Sequence, residues 1–352
     1  MRNLAIALML VTLACIPRTA LAWSASGHHA IARITWKQLD DKQRLQVTKI
    51  LRAHPHYDIY LAANPPKGLP ASEWAFLRAA TWSDWVRGPK AEGLSATDAN
   101  AIQSKYNKGV WHYIDLPYIH PNDAGKFDEA KIRKEMLEPE FDSKGEPRHV
   151  LAALKQSMKL LLAEDTSDHD KAVRICWLFH LVGDLHQPLH AVGLMATKET
   201  FAPGFAPPGG DQGGNLIIVK AKPGDARTIN LHAYWDGLLF RGEGNFTAVE
   251  GMVAKMLKDP QYQREQLPEL KATEFLAWAE ESLELCKTVV YKGDDGGFLK
   301  AAGKSGGMGG QNAADVPALP AGYQKRADEV AARRMVLAGY RLSDQLNIVF
   351  KN

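Results

Sequence analysis

The chain has 352 residues, of which 45% are hydrophobic and 24% charged, and its formal net charge is +3 at neutral pH. This is the composition of an ordinary globular protein. So even a balance excludes a general polyanion trap, and any affinity for nucleic acid has to come from a local site.

Residues 1–22 begin Met-Arg, continue with an apolar run over 4–15 and end Ala20-Leu21-Ala22. A charged start, a short apolar middle and a small-residue exit form the pattern of a secretory signal, and the run is too short to span a bilayer comfortably. Cleavage after Ala22 is therefore expected, with the mature protein secreted or periplasmic. It removes Arg2 and Arg18 and leaves 330 residues with a net charge of +1. The remainder, 23–352, reads as one domain. No later segment is a transmembrane candidate, so no stable membrane insertion is expected, and nothing in the sequence implies a protein partner. The mature cysteines are Cys176 and Cys286, and the sequence leaves open whether they pair or remain buried thiols.

Apolar residues recur at helical spacing over 27–39, 44–51, 150–162, 171–185, 273–290 and 323–346, which predicts a mainly α fold. One β-branched run, 215–220, followed by a turn at Pro223-Gly224-Asp225, predicts a single short β-hairpin. The stretches 88–103, 203–214 and 292–320 read as loops.

The densest chemical signal is Phe179-His180-Leu181-Val182-Gly183-Asp184-Leu185-His186-Gln187-Pro188-Leu189-His190. His180 and Asp184 are four apart, so on a helix they share a face and can reach one metal ion. Pro188 ends that helix and turns His190 toward a neighbouring ion. A lone histidine here would read as a satisfied core residue, but ionisable groups this dense in an apolar helix are rarely buried without partners. Asn230-Leu231-His232-Ala233-Tyr234-Trp235-Asp236 repeats the spacing with His232 and Asp236, and Asn230 is a helix N-cap candidate. Taken alone that pair reads equally well as a solvent-facing hydrogen bond. Trp82-Ser83-Asp84-Trp85-Val86-Arg87 and Trp111-His112-Tyr113-Ile114-Asp115 add Asp84 and His112 among aromatic residues, where each by itself reads as ordinary core packing. The expected mature start, Trp23-Ser24-Ala25-Ser26-Gly27-His28-His29, offers a free amine, a carbonyl and His28, although first residues usually fray.

Taken in chain order, the motifs resemble the single-strand-specific zinc nucleases of fungi, plants and bacteria, the S1/P1 type. Gly213-Gly214-Asn215 and a closing Gly339-Tyr340-Arg341-Leu342 extend the resemblance over nearly the whole mature chain. It implies a single α-helical domain of the phospholipase C/nuclease type and three zinc ions per chain. One ion would take Asp84, His112, His180 and Asp184. A second would take the Trp23 amine and carbonyl, His28 and the other oxygen of Asp184, and a third His190, His232 and Asp236. The implied activity is hydrolysis of single-stranded DNA and RNA to 5′-phosphorylated products, with 3′-nucleotides as further substrates. Asp84 and Asp184 would then be catalytic as ligands, Arg87 would neutralise charge on phosphorus, Asp115 would orient His112 or Arg87, and Tyr113 would offer a wall for an unstacked base. Two rival classes are a zinc-dependent phospholipase C and a non-catalytic exported binding protein. The first typically closes its site with glutamate where this chain has Asp236, and the second predicts a broken ligand set.

Overall fold

The computed structural model describes residues 23–201, 204–240, 246–303 and 315–351; the expected signal at 1–22 lies outside them. The fold is mainly α. In chain order its helices are α1 (Ala25–Gln38), α2 (Asp41–Leu51), α3 (Ala71–Ala79), α4 (Trp82–Trp85), α5 (Ala96–Tyr106), α6 (Glu129–Leu137), α7 (Val150–Leu162), α8 (Asp168–Leu185), α9 (Leu231–Asp236), α10 (Phe246–Lys258), α11 (Phe275–Leu285) and α12 (Tyr323–Val349). Among the described residues no helix is long and apolar enough to cross a membrane. Cys176 and Cys286 are both buried and free.

Helix α8 is the spine. Ser167 caps it by accepting from Asp170 N, and Asp168 and Asp170 in the first turn complement the helix dipole, so it starts three residues before the predicted 171. Its last eleven residues, Ile175 to Leu185, are all buried, because α1, α2, α3, α4, α7, α11 and α12 pack around it. A helix apolar on every side is stable only in such surroundings. The ring closes where α1 crosses α12: a Cβ on Gly339 would lie 2.5 Å from Ile34 Cγ2, and Thr35 Oγ1 donates to Gly339 O at 3.0 Å.

Under the end of α8, Arg334 and Arg341 of α12 converge on Glu281 of α11. Arg341 also donates to His186 Nε2 at 2.9 Å, and Arg334 to His186 O at 3.1 Å. Two buried guanidinium groups share one carboxylate, and the carbonyl and ring of His186 take up further donors, which anchors the residue that caps α8.

Two small sheets complete the frame. The predicted hairpin forms between β3 (Ile217–Val219) and β4 (Ile229–Asn230), with Ile218 opposite Asn230, and β5 (Ala302–Gly303) adds an antiparallel third strand. A second sheet was not foreseen: β1 (Leu116–Ile119) pairs in parallel with β2 (Val192–Met195), Leu116 opposite Val192. Each strand has only four residues, too few for a period to stand out, and parallel pairing joins segments far apart in sequence. The loop expected at 88–103 is corrected as well, since α5 covers its second half. Ser95 caps that helix, yet it has no fully buried residue and so lacks an apolar stripe.

Candidate metal centre

Segments far apart in the sequence deliver the site, with Asp84 on α4 and His180 and Asp184 on α8. The turn Gly109–His112 precedes β1 and the turn Pro188–His190 precedes β2, so pairing the strands places His112 beside His190. Ile114 N donates to His190 O at 2.9 Å, and His190 Nδ1 donates to His112 O at 2.8 Å. The hairpin strand β4 runs directly into α9, whose N-cap Asn230 accepts from Ala233 N at 2.6 Å; this sets His232 and Asp236 on the inner face. The entry segment is stitched across both: Trp23 Nε1 donates to Gly183 O at 3.0 Å, Ser24 N donates to Asp236 O at 2.8 Å, and Trp23 is wholly buried.

The sequence-predicted residues come together. Ligand atoms of His112, His180 and Asp184, of His28, Asp84 and His180, and of His190, His232 and Asp236 each lie within 4.8 Å of one another. Asp184 is the hub, with Oδ2 at 3.0 Å from His112 Nδ1 and 3.2 Å from His180 Nε2, and Oδ1 at 3.3 Å from His28 Nε2. His28 stacks on His180 with ring centroids 4.2 Å apart. Its ring occupies space that a side chain at position 183 would fill, since a Cβ on Gly183 would sit 2.8 Å from His28 Nδ1. His180 Nε2 is 3.7 Å from Asp84 Oδ1, and Arg87 reaches the same Asp84 oxygen at 3.3 Å.

The donor set fits metal ions. His180, His190 and His232 each donate Nδ1–H to a backbone carbonyl, of Ala80, His112 and Gly213, at 2.7–2.8 Å. That leaves each Nε2 as a lone pair aimed into the site, the usual arrangement of zinc-binding histidine. Both ring nitrogens of His28, Nε2 of His112, Nε2 of His190 and Oδ1 of Asp184 are buried without a hydrogen-bond partner. Buried polar atoms are nearly always partnered, so a cluster of orphans facing one another marks a place for a cation.

For four of the imidazoles electrostatics point the same way. Burial depresses the imidazoles of His28, His112 and His190, and burial followed by the neighbouring His190 takes His232 down to about 3, so these rings are neutral and able to coordinate. Burial also opposes charge on His180, but the carboxylates of Asp184 and Asp84 outweigh it and raise that ring to about 9. Burial pushes Asp236 well above the usual carboxylate range.

Arg87, Tyr113 and Asp115 line one cavity of about 520 Å³ with His112, His190 and His232. Tyr113 is 41% exposed there. Asp115 shares this cavity with His112 and Arg87; Asp184 bonds His112, Asp84 bonds Arg87, and the charge of Asp211 acts on Asp115. Sequence reasoning missed Asp211. It is fully buried, accepts from Leu194 N at 2.9 Å and from Tyr291 Oη–H at 2.7 Å, and so ties β2 to the cavity rim. That rim holds Gln212, Gly213 and Gly214 at φ of 56°, 59° and 79°. A Cβ on Gly213 would meet Leu189 O at 2.1 Å, so only glycine fits between Leu189 and His232. Gln187 was missed too; it is buried against Asp236, and a lone amide carries no pattern in sequence.

Two outcomes are expected. Burial, reinforced by Asp211, raises the Asp115 carboxyl from 3.8 to about 7. In the unfolded chain it ionises near its ordinary value, so its resistance to ionisation costs stability progressively as pH rises from about 4 to about 7. Asp115→Asn is expected to raise the Tm of the chelator-treated protein at pH 8 and to leave it unchanged at pH 4; a gain of equal size at both would contradict this. Gly183→Ala forces the buried His28 ring aside. Overpacking of this kind costs about 1–3 kcal/mol, against roughly 1 kcal/mol gained from alanine's helix propensity, so the midpoint of urea unfolding should fall.

The chain is 24% identical over 226 residues to Endonuclease 4 of Arabidopsis thaliana, an alignment covering 62% of this chain and 56% of that protein. It thus spans just over half the length of the curated relative it matches. The S1/P1 nuclease family pattern matches residues 23–351, which include all nine expected ligand positions. On that match, over nearly all of a chain whose histidines and carboxylates converge as described, the protein belongs to the S1/P1 nuclease family.

Proposed function

We propose that this protein is an exported zinc-dependent endonuclease that hydrolyses single-stranded DNA and RNA to 5′-phosphorylated products, and that it also accepts 3′-nucleotides. One observation carries the reading: overlapping groups of histidine and carboxylate, compact enough to hold metal ions, gather behind His112, His190 and His232 on the floor of one cavity. Asp84, His112, His180 and Asp184 would hold one zinc ion, and His190, His232 and Asp236 another. The remaining ion would take His28, the second oxygen of Asp184, and the amine and carbonyl of Trp23 once cleavage after Ala22 has freed that amine. Zinc bound there supplies Lewis-acid polarisation of a phosphate oxygen and brings the pKa of water near neutrality.

The chain's own residues do the rest. Asp84 holds the Arg87 guanidinium at the cavity wall, where it can neutralise an anionic phosphate. Tyr113 gives a half-open aromatic face on which an unstacked base can lie, a contact that stacked duplex does not offer. The sunken floor favours an unpaired strand for the same reason.

The test is release of soluble nucleotides from single-stranded and duplex DNA before chelation, after chelation and after zinc is restored. Activity is expected on the single strand, lost to background on chelation and recovered with zinc. Diacylglycerol release from phosphatidylcholine without nucleotide release would instead assign the phospholipase reading. A mature protein carrying one extra residue before Trp23 should lose about 100-fold or more in activity, the upper end of what disturbed zinc support costs. Full activity with full zinc content in that variant would remove the Trp23 amine from the site.

A further inference from the structure

We infer that Gln187 is a positioning residue that arranges two of the three members of the His190–His232–Asp236 group with a single side chain. The inference rests on the zinc reading above. Gln187 is completely buried, in the turn between the end of α8 and His190. Its Oε1 accepts from Leu189 N at 2.6 Å, and its Nε2 donates to Asp236 Oδ1 at 2.8 Å.

The orientation of this carboxamide follows from chemistry. A backbone N–H can only donate, so the oxygen must face Leu189, and the NH₂ is left for the carboxylate. Pro188 has no N–H, which makes Leu189 the first residue of the turn with a donor to satisfy. Satisfying it closes the Pro188–His190 turn and sets the backbone from which His190 projects. His190 Nδ1 then donates to His112 O, and its Nε2 has no hydrogen-bond partner.

At the other end, the amide holds Oδ1 of Asp236 and stops the carboxylate from rotating. Oδ2 is left 3.6 Å from His232 Nε2, and the His190 and His232 rings lie 4.7 Å apart. Asp236 is thereby fixed twice, through its side chain by Gln187 and through its backbone carbonyl by Ser24 N. Without the amide, a buried carboxylate and a buried N–H each lose a partner, and the two ligands lose their common reference.

The experiment counts zinc per chain and measures zinc affinity by chelator competition, for the wild type, Gln187→Met and Ser282→Ala. Ser282 donates to Leu185 O and accepts from Arg334 at the same helix end but belongs to none of the three groups, so its variant reports general loosening. Gln187→Met is expected to retain one zinc ion fewer than the wild type, or to bind it roughly 10–100-fold more weakly, under conditions where circular dichroism shows both folded; Ser282→Ala should match the wild type. Gln187→Asn, one methylene too short to reach both partners, should lose the same ion and serves if the methionine variant does not fold. Equal zinc content and affinity in wild type and Gln187 variants would overturn the positioning role alone, as would an equal loss in Ser282→Ala. A wild type that holds no zinc would overturn the zinc reading itself.

Discussion

A carboxylate with no access to water sits at the centre of this protein. Asp184 is wholly buried on the last turn of α8, and the imidazoles of His28, His112 and His180 approach it from three other directions. An isolated charge in such a place would cost several kcal/mol, so it persists only with partners of opposite or induced charge. Much of the fold is arranged to bring those partners in. Helix α1 supplies His28, the turn before β1 supplies His112, and α8 supplies His180 one turn before Asp184.

That constraint accounts for three close approaches around the site. Glycine at 183 leaves the space that the His28 ring takes, glycine at 27 lets Trp23 lie against α1, and glycine at 213 lets the rim loop pass Leu189 and receive the proton of His232 Nδ1. The buried pair Arg334 and Arg341 secures His186 from below, just beyond Asp184. Each device fixes a backbone position, and through it the direction of a candidate ligand side chain, which is what a metal-binding centre demands.

Six helices were legible because their apolar residues recur along the chain: α7 runs over the predicted residues, and α8 departs only by the turn that Ser167 starts; α3, α6 and α10 were not expected. His180 with Asp184 and His232 with Asp236 were legible for a related reason, since helical geometry alone puts residues four apart on one face. The hairpin of β3 and β4 could be seen in its β-branched run. The parallel pairing of β1 with β2 could not, because its partners stand more than seventy residues apart and neither strand is long enough to announce itself. Helix α5 escaped for want of a buried face.

Local geometry therefore carried the residue types, the i, i+4 pairs and the mainly α character, all of which depend on neighbours along the chain. Tertiary structure decided which groups share a site. It set His28 and His112 beside Asp184, brought the charge of Asp211 to Asp115, and laid Gln187 against Asp236. These are contacts between distant segments, chosen by the burial of many side chains at once, and no spacing in the sequence encodes them.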